Sequence, residues 1–176
     1  GNGASPHLRR MGDVSALMAA ELGLADQEVE LLRVAATLHD IGKTCIPDDI
    51  LTKGAALTPE EWEIMQSHAR KGYELLVDST SQTHQLGAVI AHEHHEHWDG
   101  SGYPRGLKGE AISLYGRIAA VADVLDSLVS ESAYKKAWTL EDAIAYLQSH
   151  AGTRFDPQLV ALIQRNRAEV EKIYAH

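Results

Sequence analysis

The chain has 176 residues, 44% of them hydrophobic, which is enough for one domain with a full core and excludes a disordered segment. With 16 Lys and Arg against 25 Asp and Glu, the net charge is −9, which argues against binding a nucleic-acid polymer; a small phosphate substrate stays compatible if bound cations offset the acids locally. Cys45 is the only cysteine, so no internal disulfide forms, and no apolar run approaches the ~18 residues of a membrane span.

In chain order the pattern is helical almost throughout. Leu8, Met11, Val14, Leu17, Met18 and Leu22 follow a 3.6-residue period that ends at Gly23. Asp26 is the expected cap of a second helix, running through Leu31, Leu32, Ala35 and Leu38 to Gly42. In "LTPEEWEIMQSHARKGYELL", Thr58 caps, Pro59 opens the first turn and Glu61 completes a capping box, predicting one helix. A fourth helix is expected from about Gln82 to His97, followed by a Gly-rich loop over 98–113. Three further helices are expected at about 114–130, 139–149 (cap Thr139) and 157–173 (cap Asp156, then Pro157). No alternating run demands a strand. The expected fold is all-α, a compact single-domain helical bundle.

Polar groups fall on the apolar stripes of these helices. His39 follows Ala35 by four residues and Leu32 by seven; His68 follows Ile64 by four and precedes Gly72 by four. His94 follows Ile90, His95 follows Ala91 and Asp123 follows Ala119, each by four. A lone inward histidine is usually a satisfied core residue. Five such groups, with Asp40 beside one of them, are better explained as metal ligands converging between helices. The adjacent pairs His39-Asp40 and His94-His95 point about 100° apart on a helix and can serve two ions sharing a carboxylate. Imidazole and carboxylate without thiolate suit Fe, Mn, Ni, Co or Zn, and two such ions suit phosphate-ester hydrolysis by an activated hydroxide.

The stretches "LHDIGK" (38–43), "HHEHWDGSGYP" (94–104) and "VADVLDSL" (121–128) resemble the HD-GYP domains, a group of the HD phosphohydrolases, over about residues 7 to 163. Members of that family are bacterial and hydrolyse cyclic di-GMP to the linear dinucleotide pGpG or to GMP; some act on cyclic GMP-AMP. The resemblance implies metal roles for His39, Asp40, His68, His94, His95 and Asp123, with Asp40 bridging. His39 and Asp123 would serve mainly one ion; His68, His94 and His95 would serve the other. Lys43 matches a lysine that contacts substrate phosphate, so Asp40 and Lys43 are the catalytic candidates. Glu96 and Asp126, beside ligands, are candidates for orienting them. In the loop "DGSGYPRGLKGE", Tyr103 and Arg105 are candidate substrate contacts, as is Lys135 further on, and the loop is a candidate contact for diguanylate cyclase (GGDEF) domains. An upstream receiver or sensor domain and a cytoplasmic location are also implied, so the chain is read as one catalytic domain of a longer protein.

Three positions depart from the family pattern. Ser132-Ala133 stand where an arginine and a proline are usual before Tyr134. Gly3 stands where three-metal members place a glutamate, so two ions are expected rather than three, with His7 an optional ligand. His97 replaces a usual Arg or Lys, and it and His92 are expected in solvent. The leading expectation is a metal-dependent cyclic-dinucleotide phosphodiesterase. The alternatives are a phosphohydrolase for mononucleotides and a metal-binding module that signals through cyclase contacts with little turnover.

Overall fold

A computed structural model of the chain describes residues 5–131 and 136–175. Gly3, Ser132, Ala133, Tyr134 and Lys135, named above, lie outside the described residues. The helices are α1 (Pro6–Glu21), α2 (Asp26–Ala35), α3 (Asp48–Leu51), α4 (Pro59–Gln66), α5 (His68–Leu76), α6 (Gln82–Glu93), α7 (Leu114–Val129), α8 (Leu140–Ser149), α9 (Pro157–Arg165) and α10 (Arg167–Tyr174). Among the described residues there is no strand, only two isolated bridges, Asp99 with Lys108 and Ala151 with Phe155. The all-α expectation holds.

Helix starts follow the local chemistry. Thr58 and Glu61 form the full capping box of α4, Thr139 caps α8 through the Asp142 amide, and Asp156 caps α9 through Gln158. Asp26 is a correction. Ala25 is the cap residue, and Asp26 sits in the first turn, where its charge faces the positive end of α2. Buried Met11, Val14 and Met18 of α1 join Leu32, Ile90, Ile118, Leu125, Leu147, Leu159 and Ile163 in one core shared by α1, α2 and α6–α9.

Three expected long helices are broken, each by a polar side chain or a tightened turn. Ser67 turns its hydroxyl back to the Ile64 carbonyl and separates α4 from α5. Asn166 bonds the Leu162 carbonyl with both its backbone and side-chain amides, at 3.0 and 2.9 Å, and separates α9 from α10. The second helix stops at Ala35 rather than Gly42 and continues as two 3₁₀ turns, Ala36–Leu38 and Ile41–Cys45. Asp40 sits between them at φ −104° and ψ 16°, the sparsely populated bridge region. The fourth helix ends at Glu93, four residues short of His97, with His94 as its cap residue.

The one glycine of the 3₁₀ segment, Gly42, explains its position. A Cβ on Gly42 would lie 1.9 Å from the His68 carbonyl oxygen and 2.6 Å from the Gly72 amide. Only glycine lets the chain after Asp40 lie directly on the first turns of α5.

Candidate metal centre

Six of the expected ligands come from separate elements: His39 and Asp40 from the junction of the 3₁₀ turns, His68 from the start of α5, His94 and His95 from the end of α6, and Asp123 from α7. Two groups of ligand atoms form, each within 4.8 Å: Asp40, His68, His94 and His95 in one, and His7, His39 and Asp123 in the other. His39, His68 and His94 are almost fully buried. Asp40 joins the groups through its two oxygens. Oδ1 lies 3.4 Å from His68 Nε2 and 3.3 Å from His94 Nε2, while Oδ2 lies 3.2 Å from His39 Nε2. His39 Nε2 is also 3.3 Å from Asp123 Oδ1.

Each buried imidazole is set by its other nitrogen. Nδ1 of His39 meets the Ala36 carbonyl at 2.9 Å, that of His68 the Met65 carbonyl at 2.6 Å, and that of His94 the Ile90 and Ala91 carbonyls at 3.1 Å. Nδ1 must therefore carry a proton, so Nε2 is the atom aimed inward, where it can take either a second proton or a cation. Although these Nε2 atoms lie within ion-pair range of carboxylates, none is aligned as a hydrogen bond. His39, His68 and His94 Nε2 and Asp40 Oδ1 are buried without a partner. Buried polar atoms rarely go unmatched, and here they face one another across shared points. The residues fit metal ions. The donor set is imidazole and carboxylate; Cys45 is exposed and outside both groups. That chemistry suits first-row transition ions.

The electrostatics agree. Burial works against charge on Asp40 and Asp123, but the histidines around them outweigh it and hold both carboxyls below their usual range. Burial would lower His39, yet the flanking Asp123 and Asp40 carboxylates push it up to about 10. Without a cation beside it His39 thus holds a proton, which a metal would have to displace. Burial and neighbouring His94 hold His95 well below the ordinary histidine range, neutral and ready to ligate.

Around this centre the other expected residues are placed as follows. Lys43 Nζ lies 3.0 Å from Asp40 Oδ2, with its side chain partly in solvent. The Tyr103 ring stacks on His95, with centroids 4.9 Å apart and planes at 18°, and meets Trp62 edge-on at 6.2 Å. Arg105 pairs with Glu93 Oε2 at 3.2 Å. Asp126 is fully buried; it contacts His7 Nδ1 and accepts from Arg10 Nε at 3.1 Å and Tyr174 OH at 2.8 Å, so the ligand-bearing residue it orients is His7. Glu96 does not orient a ligand through any described hydrogen bond. Its two oxygens accept the Arg105 and Leu107 amides, each at 2.8 Å, and fasten the Gly-Tyr-Pro loop. His92 and His97 are half-buried rather than solvated, because Tyr73 stacks on the first at 4.4 Å and the loop's Ser101 bonds the second at 3.0 Å.

Some contributors were missed in the sequence. Glu93 accepts the Ser113 amide at 2.7 Å and holds Arg105, and it lies three residues after Ile90 on the same stripe as the histidines, so the same reasoning reaches it. Gly102 is another: a Cβ there would lie 2.3 Å from the His95 carbonyl oxygen, so glycine is what brings Tyr103 onto the His95 ring. Two wider grooves, of about 740 and 590 Å³, lie elsewhere and are lined by none of the clustered ligands. A cavity of about 300 Å³ does open beside His95 and Asp123.

Known proteins resemble the chain in sequence and in fold. The chain is 51% identical over 97% of its length to the cyclic di-GMP phosphodiesterase response regulator RpfG of Xanthomonas campestris pv. campestris, of which it covers 45%. It is 45% identical over 96% of its length to a cyclic di-GMP phosphodiesterase of Thermotoga maritima, of which it covers 46%. The chain thus spans less than half the length of these relatives. Its fold matches a solved cyclic GMP-AMP specific phosphodiesterase of V. cholerae at a TM-score of 0.70 and 23% identity, covering 96% of this chain and 45% of that one. Residues 2–159 match the HD domain, a span that holds both ligand groups and the loop fastened beside them. The chain belongs to the HD domain family, and within it to the HD-GYP group that its motifs resemble.

Proposed function

We propose that this domain is a metal-dependent phosphodiesterase that hydrolyses a cyclic dinucleotide, cyclic di-GMP first, to pGpG or GMP. The observation that carries the reading is the pair of ligand groups joined through Asp40, with buried Nε2 atoms that no protein group satisfies. The names of the relatives support the substrate class.

Two bound ions would supply Lewis acidity toward the phosphate and a water-derived nucleophile at neutral pH. The chain's own residues do the rest. Asp40 and Asp123 stay ionised and His95 neutral, so the site is chemically prepared for cations. Lys43, beside Asp40 and reaching solvent, is placed to neutralise charge growing on phosphoryl oxygens. Tyr103, fixed by its stack on His95, forms a wall that keeps substrate against the centre; burial and the Asp40 and Asp123 carboxylates raise its phenol, which remains a neutral donor. Arg105 reaches substrate only by leaving Glu93.

The finer parts of the reading are two ions per chain, drawn from Fe, Mn, Ni, Co or Zn, and a cytoplasmic setting. An upstream receiver or sensor domain and GGDEF partners on the Gly-Tyr-Pro loop belong to it as well; a relative named as a response regulator supports the first of these. No described helix is long and apolar enough to cross a membrane. The test is elemental analysis of protein purified without oxygen, with product assays on cyclic di-GMP and cyclic GMP-AMP. Close to two transition ions per chain and chelator-sensitive turnover are expected. A reproducible value below one ion, or metal-loaded protein that turns over neither substrate, overturns the reading, the latter in favour of a signalling module.

A further inference from the structure

The cavity of about 300 Å³ beside the candidate metal centre is lined by two kinds of side chain. His95 and Asp123 belong to the ligand groups, Trp138, Tyr146 and Arg154 bring aromatic faces and a cation, and Val124, Ser127 and Leu128 of α7 complete the lining. Its size is at the low end for ligand pockets, ~300–1,000 Å³, and suits one planar base rather than a whole cyclic dinucleotide.

Arg154 is held in place from several sides. The turn it occupies is stitched to the start of the Gly-Tyr-Pro loop, since the Trp98 amide donates to the Arg154 carbonyl at 3.1 Å and the Asp99 amide to the Thr153 carbonyl at 2.8 Å. Its guanidinium lies 5.5 Å from the Phe155 ring and donates one Nη1 bond to Tyr146 OH at 3.1 Å. No carboxylate among the described residues pairs with it, whereas the comparably covered Arg10 and Arg117 are paired with Asp126 and Asp156. In a chain with more acids than bases, a half-buried arginine left without an acid beside a cavity is available to an acceptor from outside. The aromatic wall is set as well. Trp138 donates its backbone amide to Leu128 at 2.9 Å and meets Tyr146 edge-on at 5.9 Å, leaving indole surface exposed.

We propose that Arg154 and Trp138 form a subsite for one guanine base of a nucleotide whose phosphate lies at the His95–Asp123 end. The proposal rests on the phosphodiesterase reading. It adds what recognises the base. The indole offers a stacking face, and the free edge of the guanidinium matches the O6 and N7 acceptors of guanine, while adenine presents a donor at the corresponding position. A subsite for one base accepts the guanine end of either cyclic di-GMP or cyclic GMP-AMP.

The test is calorimetric titration of the metal-loaded protein with GMP, AMP and ribose 5-phosphate, using wild type, Arg154→Ala, Arg154→Lys and Trp138→Ala at matched metal content. Wild type should bind GMP at least about tenfold more tightly than AMP or ribose 5-phosphate. Arg154→Ala should weaken GMP about tenfold and remove the preference over AMP. Arg154→Lys should leave the preference lost, because an ammonium lacks the planar fork. Trp138, exposed and outside the core, provides a variant that folds regardless, and Trp138→Ala should weaken both nucleotides. Ribose 5-phosphate binding as tightly as GMP, absence of saturable GMP binding, or Arg154→Ala and Trp138→Ala variants that bind like wild type would overturn the subsite. Hydrolysis of cyclic di-GMP by wild type is scored separately. Arg154-dependent GMP binding without hydrolysis removes the phosphodiesterase reading and keeps the subsite; hydrolysis with Arg154-independent binding does the reverse.

Discussion

Asp40 touches both ligand groups, each through a different oxygen, so its loss differs in kind from the loss of any one histidine. Asp40→Ala should empty both positions and reduce turnover by at least about a hundredfold, with the helical circular dichroism unchanged because the apolar core lies elsewhere. Substantial metal-dependent turnover by that variant would show that the groups do not act together. Lys43 separates binding of metal from chemistry. Its ammonium faces the same carboxylate but belongs to neither group. Lys43→Ala should keep its metal and lose on the order of a hundredfold in rate; kinetics like wild type would return Lys43 to a simple ion pair with Asp40.

At the scale of elements, close backbone approach matters as much as side-chain chemistry. Gly42→Ala would force the turn after Asp40 off α5. The cost is roughly 3 kcal/mol of overpacking, or about 6–12 °C in melting temperature for a chain of this size. A melting curve within a degree of wild type would mean that the two segments separate freely. The caps at Thr58, Thr139 and Asp156 could be read because a cap is a local exchange between one side chain and the amides two or three residues ahead. The breaks at Ser67 and Asn166 could not, since a polar residue inside a helical pattern breaks it only when tertiary packing favours the back-bonded form. His39 and Asp40 were expected 100° apart on a continuing helix. The 3₁₀ tightening changed that angle, but the inward aim of His39 survived, because its ring is anchored to the carbonyl three residues back. Arg154 carried no signal at all; a single arginine in a turn becomes informative only when its surroundings are known to lack an acid.

Across the whole molecule, Asp126 ties the opposite ends of the described chain together. His7 and Arg10 of α1 and Tyr174 of α10 all reach this one buried carboxylate on α7. Asp126→Ala should weaken metal binding about 10–100-fold, as expected for a partner that orients a ligand. If the effect passes through His7, the double variant with His7→Ala should be no weaker than the worse single one. Additive losses, measured by competition with a chromophoric chelator, would place the effect of Asp126 on overall stability instead.

The ligand groups draw on residues as far apart as His7 and Asp123, while α8, α9 and α10 contribute none. An occupied centre is therefore also a fastener, closing a nested series of long chain loops alongside the packing and the polar links that already hold them, such as those to Asp126. Stripping the ions should leave the molecule unevenly held: amide exchange should quicken around residues 36–45 and 94–95, while buried amides of α8 and α9 keep their wild-type protection. The residues that would hold ions for phosphate chemistry would then also determine which half of the fold opens first.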